Sequence, residues 1–93
     1  MLIVSIRSHI KYALAVDALF VSVGQVPELG NFANVLPLTP DGYAQVPEGG
    51  VSPAAGVFVA GDCREKTVRQ LTTAVSDGAV AALNACRWLD MVP

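Results

Sequence analysis

From Arg69 to Leu89 apolar side chains return every three or four positions, at Leu71, Val75, Ala79, Leu83 (or Ala82), Cys86 and Leu89. That is the period of one helical face, and it predicts a single long amphipathic helix at the C-terminal end. Small residues at Ala74, Gly78, Ala82 and Cys86 add a narrow stripe along which the helix is expected to approach a sheet or a cofactor. Gly78 costs about 1 kcal/mol relative to alanine in a helix, so close packing is its expected compensation. Upstream, Val57-Phe58-Val59-Ala60 is a short apolar run of strand formers, the pattern of a strand covered on both faces. Gly61-Asp62 ends it.

The rest of the chain alternates short apolar runs with turn residues. Leu2 to Ser8 reads as an edge strand, His9 to Tyr12 as the turn after it, and Ala13 to Val23 as a second strand centred on Ala18, Leu19, Phe20 and Val21. Pro27, Gly30, Asn31, Asn34, Pro37 and Pro40 make Gln25 to Pro40 an irregular loop, with Leu29, Phe32, Val35 and Leu36 able to form one amphipathic turn. Asp41-Gly42 predicts a type I′ hairpin joining Leu36-Pro37-Leu38 to Tyr43-Ala44-Gln45-Val46. A second irregular loop, Pro47 to Pro53, leads into the buried strand. The expected class is α/β: short strands in a partial sheet plus one long C-terminal helix, without the crossovers of a complete doubly wound domain.

Composition sharpens this picture. A chain of 93 residues holds one domain and buries little surface. Yet 53% of its residues are hydrophobic and mean hydropathy is +0.49, so the surplus is expected to lie exposed or to pair with another copy, as a homodimer or swapped assembly. A net charge of −2 without a basic cluster excludes nucleic acid as a partner. Asp17 interrupts the longest apolar run well short of the roughly 18 residues of a spanning helix, which excludes membrane insertion. Met1 to Ile6 lacks the charged start and cleavage site of a signal peptide. Two cysteines without framework spacing fit a reducing cytoplasm. Cys63 reads as a small buried hydrophobe, or as a reactive thiol if exposed. His9 is the sole histidine, so no imidazole cluster for a metal exists.

The chemistry sits between strand and helix. A glycine past a buried strand lets the backbone turn sharply or approach a ligand, and the adjacent carboxylate can accept hydrogen bonds from ligand hydroxyls. Arg69 and Gln70 then open the helix, whose first N–H groups form an electropositive end. Ala60-Gly61-Asp62, a short loop, Arg69-Gln70 and a small-residue helix together resemble the C-terminal flavin-binding segment of bacterial thioredoxin reductases. The resemblance implies that Asp62 binds the ribityl chain of FAD. It also implies that Gln70 and Leu71 turn their backbone N–H groups to the pyrimidine edge of the isoalloxazine ring, where reduction gathers negative charge. Gly61, Asp62, Cys63, Arg69, Gln70 and Leu71 are therefore the candidate cofactor-binding set.

Further matches are Val16 to Gly24 with the strand re-entering the flavin domain, Asp41-Gly42-Tyr43 with its hairpin, and Leu83 to Asp90 with its terminal helix. Residues 1–15 match only loosely, as a strand and turn. Glu28 after Pro27 and Ala55 before Gly56 depart from the family, which usually has Asn and Pro there. No G-x-G-x-x-G turn is present to anchor a pyrophosphate, and Cys63 and Cys86 form no Cys-x-x-Cys dithiol. Residues 1–93 thus read as one unit, equivalent to the C-terminal part of an FAD/NAD(P)-binding, Rossmann-like domain. The expected function is an FAD-binding segment of a thioredoxin-reductase-like oxidoreductase, not catalytic alone and completed by an N-terminal flavin-domain segment or by self-association. The alternative is a non-enzymatic self-associating or complementing module derived from such a reductase.

Overall fold

The computed structural model describes every residue except Met1 and Ile6, so the parts of the edge-strand and signal-peptide readings that rest on those two lie outside the described residues. Strand β1, Leu2–Val4, pairs antiparallel with β2, Lys11–Ala13, in the register Leu2 to Ala13 and Val4 to Lys11. The turn between them is closed by the N–H of His9 donating to the Ser5 carbonyl at 2.8 Å, with His9 at φ 55°. Lys11 and Tyr12 are therefore strand, where a turn was expected. The edge strand takes the first partner that follows it along the chain.

No strand forms over Val16 to Val23, and Phe20, expected at a buried centre, is 93% exposed. Leu19, Val21, Val23 and Val26 are exposed beside it. An apolar alternation becomes a strand only against a neighbouring edge, and among the described residues none lies beside this segment.

The core is Leu36, Ala44, Val46 and Val59, with Leu29, Leu38, Val57 and Cys63 partly buried against it. Ala44 is its crossing point. It faces Leu38 in an antiparallel bridge and Arg64 in a parallel one, its N–H donating to the Cys63 carbonyl at 2.8 Å and its carbonyl accepting from Glu65 at 2.8 Å. The hairpin occurs where expected, but its turn is not type I′, because Gly42 has φ 91° while Asp41 does not reach positive φ. Gly42 N–H closes the turn on the Thr39 carbonyl at 2.9 Å and Thr39 N–H returns to the Tyr43 carbonyl at 2.8 Å, the three-residue loop with a left-handed glycine last. Pro40 sets the backbone angle of the turn's second residue and excludes the primed form, which needs positive φ there.

Val57 to Ala60 was expected as a strand covered on both faces. It holds instead a single antiparallel bridge, Val51 to Phe58, flanked by Val59 N–H donating to the Gly50 carbonyl at 2.8 Å, and of its residues only Val59 is fully buried.

Helix α1 spans Leu71–Met91 and is capped at Gln70, whose N–H donates to Thr73 Oγ1 at 3.0 Å. The face it buries is the reverse of the one its large apolar residues predict. Ala81 is buried at 6% exposure and Ala74, Asp77, Gly78, Asn84, Ala85 and Trp88 are half-buried, whereas Leu71 is 81% exposed and Val75, Ala79, Ala82, Leu83, Cys86 and Leu89 face outward. The reason lies beneath the helix, which rests on glycine backbone. A Cβ on Gly50 would lie 3.0 Å from the Cβ of Ala81, and one on Gly56 would lie 3.2 Å from the Trp88 ring. Asn84 Nδ2 donates to the Gly49 carbonyl at 2.9 Å, and Trp88 meets Phe58 edge-on with centroids 6.4 Å apart. Where the helix axis comes nearest the main chain, at Gly49 and Gly50, small or polar residues fit, and the larger Trp88 packs across Gly56.

The small-residue stripe accordingly runs Ala74, Gly78, Ala81, Ala85, and Ala82 and Cys86 fall outside it. Gly78 has open space where a Cβ would stand, so the close packing expected to compensate it is absent within this chain. Gly78→Ala is expected to raise stability by about 0.5–1 kcal/mol in denaturant unfolding, and a loss instead would overturn the assignment of open space there. The whole is elongated: the radius of gyration is 19.1 Å, against about 12 Å for a compact chain of this length.

Candidate functional site

The loop from Gly61 to Gln70 leaves the core at Val59 and returns at the start of α1. Gly61 turns it at φ 90°, and its N–H donates to Asp77 Oδ2 at 3.1 Å. Asp62 is exposed, and among the described residues nothing bonds to its carboxylate. Its main-chain carbonyl accepts from Arg69 Nε at 3.0 Å, which folds the loop back on itself. Arg69 also donates to the Arg64 carbonyl at 3.4 Å and stacks its guanidinium 3.8 Å above the Tyr43 ring, a cation–π contact. Cys63 is half-buried, its Sγ 3.5 Å from the Ala60 carbonyl, and packs against the core, which is the small-hydrophobe reading of that residue. It and Cys86 are free cysteines.

Behind the loop lies one acid that accepts from three residues. Asp77, on the second turn of α1, accepts from Arg64 Nε at 2.9 Å and Nη2 at 3.1 Å, from Lys66 Nζ at 2.6 Å, and from Gly61 N–H. The three side chains are 8–12% exposed. The Arg64 hydrogen bond, against the opposing cost of burial and with help from Lys66 and Gly61, holds the Asp77 carboxyl well below the usual carboxylate range. Arg64 is correspondingly held more basic by Asp77. Its Nη1 reaches the Val46 and Glu65 carbonyls at 3.3 Å each, so its buried charge is hydrogen-bonded on both sides.

Of the six residues expected at a cofactor site, Asp62, Cys63 and Arg69 line one cleft, together with Tyr43 and the Gln25-Val26-Pro27 segment. Gly61 precedes Asp62 and is tied to Asp77, while Gln70 and Leu71 continue from Arg69 into the helix start. The N–H of Gln70 is already donated to Thr73 Oγ1. The cleft holds about 190 Å³, below the roughly 300–1,000 Å³ of a complete small-molecule site. Tyr43, Arg64 and Asp77 were not anticipated from sequence. Asp77 carried a usable signal, a lone acid among small residues of a helix with two cations shortly before it. Tyr43 carried none, since its meeting with Arg69 is a product of the fold.

Among the described residues no group of three His, Cys, Asp or Glu side chains gathers to hold a metal, and no helix is long and apolar enough to cross a membrane.

The sequence profile of the pyridine nucleotide-disulphide oxidoreductases matches residues 6–78. The chain is 40% identical over 85 residues to the 34.2 kDa protein of the rubredoxin operon of Clostridium pasteurianum, covering 91% of this chain and 28% of that one. It is 40% identical over 77 residues to the bifunctional thioredoxin reductase/thioredoxin of Mycobacterium leprae, covering 82% of this chain and 17% of that one. The crystal structure of thioredoxin reductase from Streptococcus pyogenes superposes on 98% of this chain and 30% of its own, with a TM-score of 0.73 at 28% identity. The chain thus spans 17–30% of the length of these relatives. Its short strands and long helix are part of an FAD/NAD(P)-binding fold. The profile match over residues 6–78, together with these relatives and this fold, makes the chain a thioredoxin-reductase-like member of the pyridine nucleotide-disulphide oxidoreductase family.

Proposed function

We propose that the chain supplies the ribityl and isoalloxazine side of an FAD site in a thioredoxin-reductase-like flavoprotein oxidoreductase. The observation that carries this is the Asp62 carboxylate, exposed and without a partner among the described residues, on a loop whose Asp62 carbonyl accepts from Arg69, the residue before the helix cap. A charged acceptor without a partner suits ligand hydroxyls, and a helix start suits an anion. The residues present therefore fit one half of the cofactor. They do not fit the other, because no glycine-rich turn is available for a pyrophosphate. FAD, when bound, supplies two-electron transfer between a nicotinamide and a disulfide. In that site Asp62 binds, Gly61 gives the backbone its turn, Cys63 packs beneath, and Arg69 walls the cleft. Gln70 and Leu71 bring the helix start to the ring edge. No residue of this chain is assigned a catalytic role, and no NADPH turnover is expected from it alone.

On this reading residues 1–93 form one unit equivalent to the C-terminal part of a flavin domain, and its partner is a polypeptide segment carrying the G-x-G-x-x-G turn. The uncovered apolar surfaces support this: Phe20, Val23 and Val26 on one segment, and Leu71, Val75 and Leu83 on the helix. Two free cysteines suit a reducing cytoplasm. Neither the comparisons nor the described residues favour the non-enzymatic alternative.

Titration with FAD, followed by flavin fluorescence and visible absorbance, tests the proposal. Asp62→Ala is expected to weaken binding about tenfold or more, since a hydrogen bond to a charged acceptor is worth roughly 1.5–3 kcal/mol. Wild-type chain that binds no FAD, alone or with the glycine-rich segment of a relative added in trans, would overturn it. Sizing chromatography decides between self-association and a separate partner.

A further inference from the structure

We infer that Asp77 is the positioning residue of this site, pinning the loop on both sides of Asp62 so that the Asp62 carboxylate is set relative to the helix start before any ligand arrives. The inference rests on the flavin reading for what the loop presents, and on distances alone for how it is held. Gly61, immediately before Asp62, is tied to Asp77 Oδ2 at 3.1 Å. Arg64 and Lys66, just after it, are tied to the same carboxylate at 2.9 and 2.6 Å. Asp62 thus lies between the Gly61 and Arg64 anchors, and its own side chain bonds to nothing among the described residues.

The anchor stands on the helix rather than on the loop. One carboxylate, two turns from Gln70, therefore fixes the distance between the two halves of the candidate site. Positioned donors and acceptors bind more strongly than mobile ones because their ordering entropy is already spent. Four N–H groups converge on the carboxylate, three on Oδ2 and one on Oδ1, so Oδ2 is saturated by the chain itself. Asp77 is thereby committed to holding the loop, and its effect on a ligand is exerted through Asp62.

The test uses the full chain and needs no cofactor for its first arm. Removing Asp77 alone would strand two buried cations, so the cluster is replaced together by apolar side chains, Arg64→Met/Lys66→Met/Asp77→Leu, a change that buried ion clusters often tolerate. Backbone order and amide exchange are then read by NMR. Gly61 to Cys63 are expected to lose order while Val46 and Val59 in the core keep theirs. An unchanged loop would overturn the inference. So would loss of the whole fold in this variant, because the cluster would then hold the chain rather than the loop.

The second arm is a cycle with Asp62→Ala, read as FAD affinity. If Asp77 acts through Asp62, the cluster replacement weakens FAD binding about tenfold in the wild-type background and leaves it nearly unchanged once Asp62 is gone. Equal losses in both backgrounds would refute the positioning role. Wild-type chain that binds no FAD sinks the flavin reading only, and the first arm still decides whether Asp77 orders the loop.

Discussion

Gly50→Ala is expected to cost the chain about 3–5 kcal/mol, a large share of the stability of a unit of this size. Gly50 lies at φ 74°, a left-handed conformation that strains an alanine by about 1–3 kcal/mol. The new methyl would stand inside van der Waals distance of the Val59 carbonyl and 3.0 Å from the Cβ of Ala81. Backbone on one side and helix on the other leave it nowhere to go, and overpacking of this kind adds about 1–3 kcal/mol. The Gly50 carbonyl also accepts the Val59 N–H at 2.8 Å, so any shift that relieves the clash breaks a core hydrogen bond. Stabilities near 0.05–0.15 kcal/mol per residue leave little margin for a loss on this scale. Urea unfolding followed by fluorescence of Trp88, the sole tryptophan, measures it. A midpoint close to wild type would mean that α1 does not sit against this glycine.

Asp77→Ala is expected to destabilise by about 3–5 kcal/mol, the usual result of deleting one member of a buried ion cluster. Arg64 and Lys66 would keep their charges at side-chain exposures of 11% and 8%, with the shared counter-ion gone. The same carboxyl governs acid stability. Its pKa is held low in the folded chain by Arg64 first, against burial, and then by Lys66 and the Gly61 N–H. Below the ordinary carboxylate value near 4 the unfolded chain therefore binds a proton that the folded chain does not. The stabilisation is complete above about pH 4 and is lost as pH falls through the depressed folded value. Unfolding free energy should decline steeply on acidification below about pH 4 in the wild type, and less steeply in Arg64→Met/Lys66→Met/Asp77→Leu. Equal acid slopes in the two proteins would refute this assignment.

The uncovered surfaces connect packing to function. Six large apolar residues of α1 and a run of others between Leu19 and Val26 face outward, more than isolated exposed hydrophobes require. The relatives that this chain matches are three or more times as long. The helix has two usable faces: small residues and Trp88 on glycine backbone inward, large aliphatic ones left for a neighbour.

What could be read in the residues alone were features that depend on near neighbours along the chain. The helix is legible because its period is local, and the hairpin because Gly42 supplies a conformation that few residues adopt. The Gly61-Asp62 turn and the helix start at Gln70 are legible for the same reason, and with them the resemblance that points to a flavin.

The orientation of the helix was not legible. Periodicity names a large apolar face and a small one, but which is buried depends on Gly50 and Gly56 lying beneath it, at separations no local pattern records. The strand expected at Ala13 to Val23 failed beyond Ala13 similarly, since its alternation has no meaning without an edge to join. Tyr43 under Arg69, and Asp77 behind Gly61, Arg64 and Lys66, are meetings of segments distant along the chain. Short-range conformational preference is written into each residue type, whereas burial and charge pairing are properties of whichever surfaces folding brings into contact.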